Sequence, residues 1–186
     1  DLSGLTAFGK AMAASKTLTS IDFSDCKISS AGVNEISRFI PAMATVNSLT
    51  VDSTGDTQDE DGDWNNGGPK PYTLTTGEEQ IDLSNENLGS ADVALLTAWL
   101  QRPEVTATLN SLALGSNQIG DDAMIQLLDA LKDVPLISLD TVKTCCGGPT
   151  CATLVDCVFM VTHLCVLLED IPFSVAPPSA VTAAQT

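Results

Sequence analysis

Basic side chains are scarce in this chain. Eight Lys and Arg stand against 24 Asp and Glu in 186 residues, for a formal charge of -16. So negative a surface repels phosphate backbones, which argues against nucleic acid as a partner. Anionic membrane surfaces are disfavoured for the same reason. The natural complement is a protein partner with a basic surface, although acidity also serves solubility alone. Aromatic residues are scarce as well, at 4%, with two Trp and one Tyr. Leu, Ala, Val and Ile must therefore fill the interior, which suits thin, similar layers. Catalytic signatures are missing: there is no Gly-rich phosphate loop, no G-x-S-x-G, no H-E-x-x-H, and a single histidine, His163. No C-x-x-C pair is present, hence no redox or zinc-ribbon signature. Neither an enzyme nor a cofactor or metal requirement is expected. No signal-peptide pattern and no N-x-Ser/Thr acceptor occur, and the chain opens at Asp1 without Met. These features fit a cytoplasmic protein or a processed product and leave the compartment open.

What is present is a repeat. In Leu18–Ile28, apolar residues fall at Leu18, Ile21, Phe23 and Ile28, followed by Gly32, Val33, Ile36 and Ile40. The same offsets return in Leu109, Leu112, Leu114 and Ile119, then Ala123, Met124, Leu127 and Leu131. A third copy, starting at Glu78, holds Ile81, Leu83, Leu88, Val93, Leu96 and Leu100. Partial copies flank these: Gly4, Leu5, Phe8 and Met12 from one unit, Val46, Leu49 and Val51 from another, and Leu136 and Leu139 from a last one. Starts thus fall at 18, 46, 78, 109 and 136. Within each unit the first apolar pair alternates as a short strand does, and the later apolar residues are spaced three and four apart, as on an amphipathic helix. One such unit cannot bury both apolar faces, so neighbours must stack.

On these residues the chain resembles the leucine-rich-repeat family, and within it the ribonuclease-inhibitor-like class. The resemblance implies an α/β solenoid of about five to six repeats over residues 1–140, with a curved parallel sheet inside and helices outside. It also implies Asn at the ninth position of each unit, its amide bonding the turn backbone between repeats. Only Asn117 fits; Cys26 (expected as a buried thiol) and Thr54 look like substitutes, whereas Glu86 departs, so Asn85 or Asn87 could take the role by a one-residue shift. Thr144 departs too.

Residues 52–77 interrupt the pattern. The unit starting at Val46 has a strand but no helix; Asp, Asn, Gly and Pro dominate in its place, and the segment reads as an acidic loop insertion. Long loops inside compact arrays are often functional. One reading is a docking loop with Trp64 and Tyr72 as partner contacts. A variant is a cation loop using Asp59, Asp61 and Asp63, though an EF-hand frame fails on spacing. The bland reading is a solvated insertion.

The strands place Asp22, Asp25, Asp52, Glu79, Asp82 and Asp140 on the inner face, with no basic residue among the side chains that share it. By the resemblance this surface binds a protein, and the acids would steer encounter. The alternative is that they only keep the sheet soluble.

Five cysteines, Cys145, Cys146, Cys151, Cys157 and Cys165, crowd the last quarter in no recognised disulfide spacing. His163 between Cys157 and Cys165 is read as packed rather than as a ligand. The apolar run Ala152–Leu168 is shorter than the ~20 residues a membrane span needs, and Asp156 would be costly inside one. We read 141–173 as a capping helix region and 174–186 as a loose tail. The expected function is a protein-interaction scaffold acting through the concave acidic face and the 52–77 loop. The runner-up is a structural subunit of a larger, conceivably membrane-associated assembly, docked through the apolar C-terminal helix.

Overall fold

A computed structural model describes residues 2–132, 134, 136 and 138–140. The expected capping region and tail, with the five clustered cysteines and His163, lie outside the described residues. The element order is α1 (Ser3–Ala14), β1 (Ser20–Asp22), α2 (Ser30–Ser37), β2 (Ser48–Asp52), β3 (Pro71–Thr75), β4 (Gln80–Asp82), α3 (Ser90–Leu100), α4 (Pro103–Thr106), β5 (Ser111–Ala113), α5 (Asp121–Ala130) and β6 (Ser138–Asp140). A single 3-10 turn, Ile40–Ala42, follows α2, where Pro41 cannot continue an α-helix.

Among the described residues, five of the six strands begin at the third position of the units starting at 18, 46, 78, 109 and 136. Their apolar residues point into one core: Ile21, Phe23, Leu49, Val51, Ile81, Leu83, Leu112 and Leu114 are all buried. The helix stripes meet them from the other side through Val33, Ile36, Ile40, Val93, Leu96, Leu100, Met124 and Leu127. Each such aliphatic side chain contributes roughly 1.5–3 kcal/mol when fully buried. Helices α1, α2, α3 and α5 pack one on the next in chain order.

The sheet is not continuous, and here the sequence expectation is corrected. Strands β1, β2 and β3 form one three-stranded sheet and β4, β5 and β6 another. The β1–β2, β4–β5 and β5–β6 pairs are parallel, but β3 runs antiparallel to β2, with Leu49 opposite Leu74 and Val51 opposite Tyr72. The 52–77 insertion is thus partly a strand. Its cause is local: Pro-Tyr-Thr-Leu-Thr alternates, so that Tyr72 and Leu74 are buried while Pro71 and Thr73 face solvent.

The turns after the strands repeat in detail. Asp25 (φ 58°), Asn85 (φ 60°) and Ser116 (φ 59°) are left-handed at the same place in three units, as are Lys27 (φ 53°) and Asn87 (φ 56°) in two. The Glu86 turn therefore keeps the register of the Cys26 turn, and no one-residue shift occurs. Cys26 itself is exposed, not buried. Asn117 shows what its position does: its side chain reaches back to the turn of the preceding unit. Among the described residues Cys26 belongs to the first such turn and has no earlier one to reach.

Candidate functional site

Asn117 is the repeat-to-repeat clasp. Its Oδ1 accepts the N–H of Glu86 (3.1 Å) and of Leu88 (3.0 Å), and its Nδ2 donates to the carbonyls of Leu83 (2.7 Å) and Leu114 (2.8 Å). A buried amide that satisfies four backbone groups in two turns fixes their spacing.

In the interrupted unit a carboxylate takes that part. Asp92 lies at the third residue of α3 with 1% of its surface exposed. Its Oδ2 accepts the Gly89 N–H, the Thr54 N–H and the Thr54 hydroxyl, each at 2.8 Å, and its Oδ1 accepts the Tyr72 hydroxyl at 3.0 Å. The Gly89 contact is one half of a capping box; glycine has no side chain to supply the other half. Burial lifts the Asp92 carboxyl above the usual carboxylate range, and the donors of Gly89, Thr54 and Tyr72 offset this only in part. Burial, then the neighbouring Asp92 charge, hold the Tyr72 phenol well above its ordinary value. Gly55 completes the seam: its N–H donates to the Asn87 carbonyl at 2.8 Å, and a Cβ there would stand 2.5 Å from the Asn87 and Leu88 carbonyl oxygens. No larger residue fits that approach.

Asp56 organises the remainder of the insertion. Its carboxylate accepts the N–H groups of Thr57 (2.8 Å), Asn66 (3.0 Å) and Gly68 (2.7 Å) and the Asn66 amide (3.1 Å). Burial pushes its carboxyl up, but the donors from Gly68, Thr57 and Asn66 together outweigh burial and leave it below the ordinary value. Asn87 holds the other side, its Nδ2 donating to the Asn66 and Gly68 carbonyls at 2.9 and 2.8 Å. The Asn87 side chain thus clasps the insertion rather than a neighbouring repeat. Asp59 accepts the N–H groups of Asp61 and Asp63 (3.0 and 2.9 Å), so this acid closes its own turn. Among the described residues no group of three or more His, Cys, Asp or Glu side chains is arranged to hold a metal ion.

The expected partner contacts separate on this geometry. Trp64 is 44% exposed at the loop tip, beside exposed Asp59, Glu60, Asp61 and Asp63. Tyr72 is only 4% exposed. It is a core residue whose hydroxyl is spent on Asp92, so it offers no contact surface, a correction to its reading as a docking residue. Asp22, Asp25 and Asp52 lie at the first sheet, where the Asp52 carboxylate accepts the Asp25 N–H at 2.8 Å. Glu79, Asp82 and Asp140 lie at the second, and all three are exposed. The structure does not merge the two groups into one stripe, because β3 presents Pro71, Thr73 and Thr75 between them. The strand acids also have a local task. Asp22 accepts the Ser24 hydroxyl and N–H (2.7 and 2.8 Å), and Asp82 accepts the Ser84 N–H (3.0 Å). The Ser24 hydroxyl and then its N–H hold the Asp22 carboxyl below the ordinary value; for Asp82 the order is the Ser84 N–H, then its hydroxyl.

Sequence reasoning missed Asp56 and Asp92, and it named Asn87 only as a stand-in for the turn Asn, not as the clasp of the insertion. Only Asp92 had a signal, an acid three residues after a helix-starting Gly. It also passed over Trp99, a fully buried side chain that donates to the Thr75 carbonyl at 3.3 Å and carries the Arg102 guanidinium 4.4 Å from its ring centroid.

The leucine-rich-repeat family profile matches residues 14–37 and 107–128. No curated protein matches the chain. Among solved structures, the leiomodin-1 actin-binding site 2 is similar at 15% identity and a TM-score of 0.40, over 84% of this chain and 71% of that one. A likeness at that level supports no inference about fold or partner. The two matched segments, each spanning a strand, its turn and the helix that follows, support a leucine-rich-repeat family for this chain.

Proposed function

We propose that the chain is a non-catalytic protein-binding module, a solenoid of the ribonuclease-inhibitor-like class with one interrupted unit. Its contact surface is the exposed sheet face with the Trp64 loop as rim, and its partner carries a basic surface. One observation carries this reading: the solvent side of five repeat strands presents Asp22, Asp52, Asp82 and Asp140, with Glu79 adjoining, and no Lys or Arg. Such a face attracts cationic surfaces and repels acidic ones, which favours encounter and partner choice more than affinity. The leucine-rich repeats are consistent with protein recognition, while fold alone supplies no function. The runner-up, docking through the apolar 152–168 run, rests on residues outside those described.

The test uses Asp22→Asn, Glu79→Gln, Asp82→Asn and Asp140→Asn together. The amides keep an oxygen acceptor for Ser24 and Ser84 and remove the charge. Partners are captured from the source extract by crosslinking, and the affinity of any purified partner is followed against salt. A partner bound by the native chain, weakened by salt and lost with the variant supports the sheet face. Retention by the variant together with loss in Trp64→Ala moves the contact to the loop. Retention by both rules out this surface.

A further inference from the structure

We propose that Asn66 is a site of spontaneous deamidation, and that its conversion releases the Trp64 loop from the body of the protein. Asn66-Gly67 is the only Asn-Gly pair in the chain. Glycine after asparagine leaves the backbone nitrogen unshielded by a Cβ, and asparagine is among the thermolabile residues. Asn66 and Gly67 are both exposed. Gly67 stands at φ 85°, and among the described residues no hydrogen bond engages its N–H.

The chemistry needs only water. The Gly67 nitrogen gives its proton to a solvent base and bonds to the Asn66 side-chain carbonyl carbon. The bond from that carbon to Nδ2 breaks, and the nitrogen leaves as ammonia. Water then opens the cyclic imide on either side, giving aspartate or its isomer in which the backbone runs through the side-chain carboxyl. No electrons are gained or lost.

The surroundings turn this small change into a structural one. The Asn66 amide that donates to Asp56 at 3.1 Å would become a carboxylate facing a carboxylate. In the isomerised form one backbone carbon is added between the Asn66 N–H and the Gly68 N–H, both of which donate to Asp56. The same insertion displaces the two carbonyls clasped by Asn87. Trp64 packs across Gly68, so its anchorage goes with them.

The full chain is aged at mildly alkaline pH and body temperature and followed by peptide mapping. Conversion at Asn66 should be severalfold faster than at Asn47, Asn65, Asn85 or Asn110, and Asn66→Gln should abolish it. The converted fraction, separated by charge, should show severalfold faster amide exchange at Gly68 and stronger acrylamide quenching of Trp64, with buried Trp99 as the unquenched reference. Asn66→Asp should reproduce the fast exchange. The proposal is overturned if folded Asn66 converts no faster than the other asparagines while the unfolded chain converts it readily. It is overturned equally if aged, converted protein keeps native Gly68 exchange and Trp64 quenching.

Discussion

The Asn117 seam and the Asp92 seam join neighbouring units by different means. At Asn117 a neutral amide, both donor and acceptor, closes two turns of the same shape. At Asp92 the unit lacks its helix, and a strand returns antiparallel in its place. The groups to be satisfied there are two N–H and two hydroxyl donors, and an acceptor-only carboxylate matches them. The regular seam costs no buried charge and is indifferent to pH. The irregular seam holds an ionisable group in the core and inherits its titration. A repeat array therefore tolerates a missing helix when the orphaned donors find a single acceptor.

Removing each clasp tests this contrast. Asp92→Ala should have the largest effect, about 4 kcal/mol, because it strands four donors in a buried place. The loss is read by denaturant unfolding and by rapid amide exchange at Thr54 and Gly89. Asn117→Ala should cost about 3 kcal/mol, with exchange quickening instead at Glu86 and Leu88. Equal exchange at both seams in either variant would show that they are not separate.

Acid titration sharpens the comparison further. Asp92 has a raised folded pKa, so its contribution to stability grows as pH falls from above that value toward the unfolded one. Asp56, Asp22 and Asp82 have depressed folded values, so their contribution is present above the unfolded value near 3.8 and is lost as pH falls through the folded one. Stability should first rise slightly on acidification and then fall. Asp92→Asn should erase the rise and leave the fall, as measured by denaturant midpoints across pH. The smallest effect is expected from Trp64→Ala, within about 0.5 kcal/mol on stability. A larger loss would mean that the loop tip supports the fold and is not free for recognition.

How far the fold was legible depended on period. Strand starts and helix stripes recur, so Ile21, Leu112, Val93 and Leu127 announce themselves. Asn117 was legible because the repeat makes its position comparable across units. The insertion occurs once, and nothing in the chain offers a second copy of Asp56 or of the partners that Asn87 and Asp92 find in it. Its strand was written in the alternation of Tyr72 and Leu74 but masked by the surrounding Gly, Pro and Asp. The single Tyr looked like a surface anchor because it stands in a segment read as a loop in a chain poor in aromatics. Only the placement of Asp92 beneath it shows where the hydroxyl goes. Of the acids read onto the sheet face, Asp22, Asp52, Asp82 and Asp140 end strands, whereas Asp25 lies in a turn and Glu79 precedes β4, and the neutral strand that divides them could not be anticipated from a segment read as loop.

The returning strand also changes the gauge of the stack. Between regular units one strand interval of about 4.8 Å faces one helix interval of about 10 Å, and the mismatch forces a bend. Between α2 and α3, which pack on each other, the chain places two strands, β2 and β3, where a regular unit places one. Strands β3 and β4 share no ladder, so the sheet layer is broken where the helix layer is continuous. A partner that reads one continuous sheet would meet that break in its middle, so the insertion divides the backbone of the face as well as its charge.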